Sequence, residues 1–304
     1  MPLTLCTSAG AGDWTLYGPS DARFVALAGT PKYAGLAFGY TVVGDGDGTS
    51  VQPYVTTDNG QRWRRATPLD ATPSSRTSGS LLAGGSTTPI LYVELADHLL
   101  RSDDQGVTWV PIAAGAAPRL AGVNPLDGRD VYAVVDGTLR HSSDGGSSWT
   151  GIGPNGATAA SVDWHARVAY VVIAGSEVRS IALDDSATIA SAQIPNAAVA
   201  AEGNLAFAIN KGNVYRSIDD GRSWGFTLLE VGQFDAAGVA FAPSVSGFAY
   251  LWEASGGGRR LWRTPNRGDS WTMVSTAPCA CITSWRRRWT NAPPAWHGKI
   301  RRCA

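Results

Sequence analysis

Residues 142–149 read SSDGGSSW, and the pattern Ser/Thr-x-Asp-x-Gly-x-x-Trp returns along the chain. Its other clean copies are TTDNGQRW (56–63), SDDQGVTW (102–109), SIDDGRSW (217–224) and TPNRGDSW (264–271), the last with Asn for Asp. One octapeptide written five times marks an internal repeat, so the period must be read before any single element. The interval from Trp149 to Trp224 is nearly double the others, and RSIALDDSA (179–187) at its middle reads as a worn copy with the Ser kept. TSAGAGDW (7–14) reads as another, retaining the first and last positions. With both counted, the octapeptide recurs about every 43 residues between Trp14 and Trp271.

Each period has one internal layout, clearest in RLAGVNPLDGRDVYAVVDGTLRHSSDGGSSWTGIG (119–153). A short strand leads through a Pro/Asp/Gly turn to VYAVV, a two-residue DG hairpin signal, TLRHS, the octapeptide and WTGI. The same order returns in GNLAFAINKGNVYRSIDDGRSWGFT (203–227), with Lys211-Gly212 as the turn. Four antiparallel strands repeating every 40 to 50 residues are the signature of propeller blades, so the expected class is all-β.

Every position in the octapeptide has a structural use. The carboxylates of Asp58, Asp104, Asp144 and Asp219, and the amide of Asn266, can accept backbone N–H groups of their own turn. Gly60, Gly106, Gly146, Gly221 and Gly268 supply a positive φ. Trp63, Trp109, Trp149, Trp224 and Trp271 are large enough to fill the wedge between neighbouring sheets.

These residues resemble the Asp-box, or BNR, β-propellers over roughly residues 7–275. That group includes sialidases, xyloglucan-cleaving glycosidases, sortilin-type receptors and photosystem II assembly factors of the Ycf48 kind. The resemblance implies a scaffold role for the box, on the propeller periphery and away from an axial ligand site. Seven box positions imply seven blades, with the N-terminal strand (Asp13–Gly18) closing the last blade against C-terminal strands. Closure of that kind leaves no free sheet edge. Six blades, with residues 1–18 as an added strand or arm, is the alternative.

Composition sets outer bounds. With 44% hydrophobic and 16% charged residues over 304 positions, the chain is globular and long enough for a large core. Its zero formal charge is a cancellation, because residues 277–304 carry six Lys/Arg and no acid, leaving the body at about −6. An acidic body argues against general nucleic-acid binding. No apolar run is long enough for a transmembrane helix. The start lacks the pattern of a signal peptide, while the family resemblance permits a secreted or cell-envelope location. The terminal segment 276–304, rich in Arg, Trp and Cys, breaks the blade pattern and reads as a divergent end that poorly completes the last blade. Cys6, Cys279, Cys281 and Cys303 lack zinc spacing and read as free or adventitiously paired thiols. The four histidines have no ligand spacing, and no phosphate loop or nucleophile elbow occurs, so neither metal nor cofactor is expected.

Two function classes remain: a non-catalytic propeller, expected as a monomer, binding a protein or glycan on one face, and a glycoside hydrolase. The resemblance implies that a sialidase would carry Phe/Tyr-Arg-Ile-Pro near its start, and DARFVAL (21–27) has no Ile-Pro after Arg23. Arg101, Arg179, Arg216 and Arg263 each stand one place before a box or box remnant, so they recur with the repeat and point to a contact between blades. A glycosidase needs two carboxylates about 5–10 Å apart across the substrate. Asp163 and Glu253 are the catalytic candidates because each adjoins a tryptophan, Trp164 and Trp252, which are the binding candidates. The same residues equally suit a blade core. The scarcity of glutamates and the short loops favour the non-catalytic class.

Overall fold

A computed structural model describes residues 24–29, 33, 35–44, 49–69, 80–95, 99–112, 118–195, 197–210, 213–227, 236–241, 247–253 and 260–276. Regular structure in these residues is entirely β. Six four-stranded antiparallel sheets follow one another as the blades of a propeller. Blade 1 holds β1 (Phe24–Gly29), β2 (Ala37–Gly44), β3 (Thr49–Thr56) and β4 (Arg64–Arg65). Blade 2 holds β5 (Leu81–Gly84), β6 (Ile90–Glu94), β7 (Leu99–Ser102) and β8 (Val110–Ile112). Blade 3 holds β9 (Arg119–Val123), β10 (Val131–Val135), β11 (Thr138–Ser142) and β12 (Thr150–Asn155). Blade 4 holds β13 (Ala157–Asp163), β14 (Val168–Ile173), β15 (Glu177–Ala182) and β16 (Thr188–Ala192). Blade 5 holds β17 (Ala198–Ala201), β18 (Ala206–Asn210), β19 (Asn213–Ser217) and β20 (Gly225–Phe226). Blade 6 holds β21 (Ala236–Phe241), β22 (Ala249–Glu253), β23 (Arg260–Thr264) and β24 (Thr272–Thr276).

The expectation of seven blades is therefore corrected to six. Box spacing counts turns between third and fourth strands, whereas a blade requires four paired strands. Residues 1–23 and 277–304, with the four cysteines, lie outside the described residues, as does the Lys211-Gly212 turn.

The first strands of successive blades lie side by side from β1 through β5, β9, β13 and β17 to β21, and line the axis. They are written mostly in Ala, Gly, Val and Leu, because the strands nearest the axis crowd together and leave little room for large side chains. The apolar core is divided into wedges between blades. Val51 and Val55 of blade 1 meet Leu91 and Val93 of blade 2, and Tyr92 and Leu99 of blade 2 meet Val131 and Ala133 of blade 3. Tyr132 and Val134 of blade 3 meet Ala169 and Val171 of blade 4. Tyr170 and Val172 of blade 4 meet Ala206 and Ala208 of blade 5, and Phe207 and Ile209 of blade 5 meet Leu251 of blade 6. Strand alternation makes this possible, since each blade sends odd and even positions to opposite neighbours.

The five clean boxes join third to fourth strands. In the third blade Ser142 donates its hydroxyl proton to Asp144 Oδ1 at 2.8 Å and accepts the Gly146 N–H at 2.7 Å. Asp144 Oδ1 also accepts the Ser148 N–H at 2.9 Å, while Oδ2 accepts the Ser148 hydroxyl at 2.7 Å. The same bonds recur around Asp104 and Asp219. At Asn266 the amide nitrogen donates to Ser270 instead, so the loop closes without a charge. The box glycine has φ between +81° and +91° in all five loops. It also packs tightly: a methyl on Gly146 would stand 2.6 Å from Ile112 Cδ1 of the preceding blade.

The worn copy in blade 4 has a different register from the one its letters suggest. Ser180 pairs with Tyr170, as Arg101 pairs with Tyr92 and Arg216 with Phe207. Ser180 therefore occupies the position before the box, and Ile181 stands where the other blades have Ser or Thr. The turn closes through its own backbone, with Ala182 and Ala187 bonded to each other.

Candidate functional site

Two ends of the propeller can be distinguished. One carries the boxes together with the turns between first and second strands. The other carries the hairpins between second and third strands. Asp163 is the last residue of the first strand β13, and Glu253 the last of the second strand β22. Because first and second strands of a blade are antiparallel, Asp163 stands at the box end and Glu253 at the hairpin end. The fold does not bring these two candidates to one cleft.

Asp163 is fully buried. Its Oδ1 accepts the N–H groups of His165 and Ala166 at 2.9 and 3.0 Å, closing the turn into β14. Its Oδ2 accepts the Asn204 N–H of blade 5 at 2.8 Å. One carboxylate thus ties a turn and joins two blades. Trp164 is half-buried, lies edge-on to Tyr132 with ring centroids 5.4 Å apart, and packs in the wedge between blades 3 and 4. Blade 4 has no box tryptophan, and Trp164 fills the space from the other side. Trp252 lies against the backbone of Gly238, where a methyl would meet its indole at 2.4 Å.

The second carboxylate near Asp163 is Glu202, which follows β17 of the next blade. No sequence signal places it there, since its adjacency depends on which turns of neighbouring blades meet. It is half-buried; burial raises its pKa and the charge of Asp163 adds to the rise. The other buried glutamates are engaged. Glu94 accepts from Arg119 Nη1 at 2.6 Å and from the Leu120 N–H at 2.9 Å. Glu177 pairs with Arg179 and accepts from Gln193 at 3.3 Å.

The arginines before the boxes do not converge on a ligand. Arg101 donates to the Gly145 carbonyl at 2.7 Å, and Arg216 donates to the Arg267 carbonyl at 2.9 Å; each acceptor belongs to the next blade's box. Arg179 lies one residue outside this set and pairs within its own hairpin. In blade 3 the position belongs to His141. Blade 4 offers it no box carbonyl, and its Nε2 lies 2.8 Å from Asp130 Oδ1 while its ring stacks on Tyr132 at 4.4 Å. Burial raises the Asp130 pKa, but the bonds from His141 and Asn124 outweigh it and the net direction is down. Tyr132 is pushed up to about 12, chiefly by burial. Among the described residues, no cluster of His, Cys, Asp and Glu could hold a metal ion, and no helix is long and apolar enough to cross a membrane.

No family model matches this chain, and no curated protein does. Solved structures do. A GH74 xyloglucanase from Xanthomonas campestris superposes with a TM-score of 0.60 at 18% identity, over 81% of this chain and 45% of the enzyme. The chain thus spans less than half of that protein. Ycf48 from Cyanidioschyzon merolae superposes with a TM-score of 0.56 at 14% identity, over 84% of this chain and 86% of Ycf48. Ycf48 bound to a D1 peptide gives 0.54 at 16%, over 87% of each chain. The shared property is the β-propeller fold. At these identities the likeness reaches no further, since a xyloglucanase and Ycf48 stand on it alike.

Proposed function

We propose that the chain is a non-catalytic propeller that binds a protein partner on its hairpin end, with the Asp-box loops as scaffold. The observation that carries this reading is Asp163. It is the only carboxylate on the described first strands, and its oxygens accept three backbone N–H groups in a site without solvent exposure. A carboxylate so engaged is held away from a glycosidic oxygen or a water, and among the described residues no other carboxylate acts on Glu202. The box end is taken up by loops that bond to themselves and to their neighbours, which leaves the hairpin end for a ligand. The match to Ycf48, which is also seen bound to a D1 peptide, extends over most of both chains, in keeping with this reading.

Glycoside hydrolysis is the second reading, and Glu202 favours it, because a carboxyl with a raised pKa beside an ionised one is the arrangement an acid catalyst uses. Both readings are tested on the purified chain with xyloglucan oligosaccharides, fluorogenic sialosides, a peptide array and a glycan array. Binding to peptides without turnover supports the first reading. Turnover lost in Glu202→Gln supports the second, and glycan binding without turnover replaces the protein partner with a sugar.

A further inference from the structure

The chain writes Asn-Gly twice, at 59–60 and at 155–156, and the structure describes both pairs. The dipeptide carries a chemistry of its own, because a glycine nitrogen, unhindered by a side chain, can attack the Cγ of the asparagine before it. The fold treats the two copies in opposite ways. Asn59 sits inside the blade 1 box with φ +59°, its N–H donates to the Gly35 carbonyl at 3.0 Å, and the Gly60 N–H donates to Thr56 Oγ1 at 3.0 Å. Thr56 Oγ1 donates in turn to Asp58 Oδ1 at 2.8 Å, so the attacking nitrogen is held within a closed loop. Asn155 ends β12, and Gly156 is the one residue between it and β13. Both are exposed, and among the described residues the Gly156 N–H has no acceptor. Thr138 Oγ1 donates to Asn155 Oδ1 at 3.2 Å, which draws electron density from Cγ and leaves Nδ2 to depart.

We propose that Asn155 is a site of spontaneous deamidation and that the box protects Asn59 from the same reaction. The Gly156 nitrogen bonds to Asn155 Cγ as the Cγ–Nδ2 bond breaks, and the amide proton of Gly156 leaves with Nδ2 as ammonia. Water then opens the succinimide ring at one or other carbonyl, giving aspartate or isoaspartate. Only water is consumed, so the reaction proceeds whether or not a partner occupies the hairpin end. Isoaspartate carries the main chain through Cβ and lengthens the link between blades 3 and 4 by a single atom. The link is fixed where this happens, since the Ala157 N–H donates to the Gly137 carbonyl and the Ala174 N–H to the Gly156 carbonyl, both at 2.8 Å. Those bonds join the hairpins of blades 3 and 4 to the crossing between them, and the added atom displaces them. Either product also places a new negative charge at the hairpin end.

Timed incubation of the full chain in mildly alkaline buffer, followed by peptide mapping, tests this. In the folded chain Asn155 is expected to convert about tenfold faster than Asn59, the factor by which one retained hydrogen bond on the attacking nitrogen slows the reaction, and the two rates are expected to converge in concentrated urea. Equal rates in the folded chain, or a faster Asn59, overturn the proposal. So does a gap that persists in urea, which would belong to the flanking residues and not to the fold. Thr56→Val removes the acceptor of the Gly60 N–H and is expected to speed Asn59 several-fold with the Asn155 rate unchanged; an unchanged Asn59 rate overturns the protection by the box. The isoaspartyl form, separated chromatographically, is expected to exchange the Ala157 and Ala174 amide hydrogens faster than the parent, whereas Asn155→Asp, which adds the charge without the extra atom, is expected to keep the parent rate. Equal exchange in all three overturns the loosening of the link.

Discussion

Arg101 of blade 2 donates to the carbonyl of Gly145, at the tip of the blade 3 box, across 2.7 Å. The bond converts a loop that is closed upon itself into one that also holds its neighbour. A charged donor on a partly buried carbonyl contributes more than a neutral bond, about 1.5–3 kcal/mol. Arg101→Ala is expected to lower the urea midpoint of the whole chain by an amount within that range, and Arg101→Lys to restore part of it, since one ammonium reaches one carbonyl. Arg179→Ala, which breaks only a bond within a hairpin, is expected to cost less than Arg101→Ala when both are measured by the same titration.

The box serine is the hub of its loop. Ser217 Oγ donates to Asp219 Oδ1 at 2.8 Å and accepts the buried Gly221 N–H at 2.9 Å. Ser217→Ala leaves that amide without an acceptor and is expected to cost about 1–3 kcal/mol in chemical denaturation. Ser217→Thr keeps the oxygen, as Thr56 and Thr264 do naturally, and is expected to stay within about 0.5 kcal/mol of the parent.

The boxes also predict how acid unfolds the protein. Backbone donation from Arg62 to Asp58 and the Ser148 hydroxyl on Asp144 lower those pKa values; at Asp104 and Asp219 burial acts upward, but bonds from Thr108 and Ser223 outweigh it. A carboxylate whose pKa is depressed by folding stabilises the fold above its unfolded pKa, near 4, and that stability is lost as pH falls through the folded value. Stability is therefore expected to fall as pH drops below about 4. Replacing all four by Asn, which blade 6 already uses at Asn266, is expected to flatten that fall in a pH series of thermal melts. Equal slopes in parent and variant would refute the assignment.

Much of the fold is legible in the sequence. Asp and Gly spaced through the octapeptide have uses that depend only on the local chain, such as the turn bonds of Asp144 and the positive φ of Gly146. What escaped were properties of neighbours in space. Ser180 looks like a surviving box residue, but its strand register with Tyr170 moves it one place outside. The blade count followed boxes, while a blade requires four paired strands. Asp163 beside Trp164 reads equally as a catalytic pair or as a turn and its wedge filler, and the amides of His165, Ala166 and Asn204 that surround the carboxylate come from turns of two blades that the sequence does not bring together. Glu202 could not be placed beside it at all, because blades 4 and 5 meet there through turns far apart in sequence.

That meeting of Asp163 and Glu202 supports opposite expectations for two neighbouring acids. Asp163→Asn retains one oxygen for three amide donors and introduces two new N–H groups in a buried site, so a loss of about 2–4 kcal/mol is expected at neutral pH. Glu202 has a pKa raised first by burial and then by the charge of Asp163, so its ionised form is the one the fold disfavours. A carboxyl of this kind costs stability above its folded pKa and ceases to do so as pH falls below its unfolded one. Glu202→Gln is therefore expected to raise the melting temperature at pH 7 and to leave it unchanged near pH 3. The gain should also shrink in the Asp163→Asn background, where the repelling charge is gone, and a double-mutant cycle at pH 7 measures that coupling directly. If Glu202→Gln destabilised the chain at pH 7, the glutamate would be making a bond to its charged form, and its place beside Asp163 would have to be read as attraction through a shared donor.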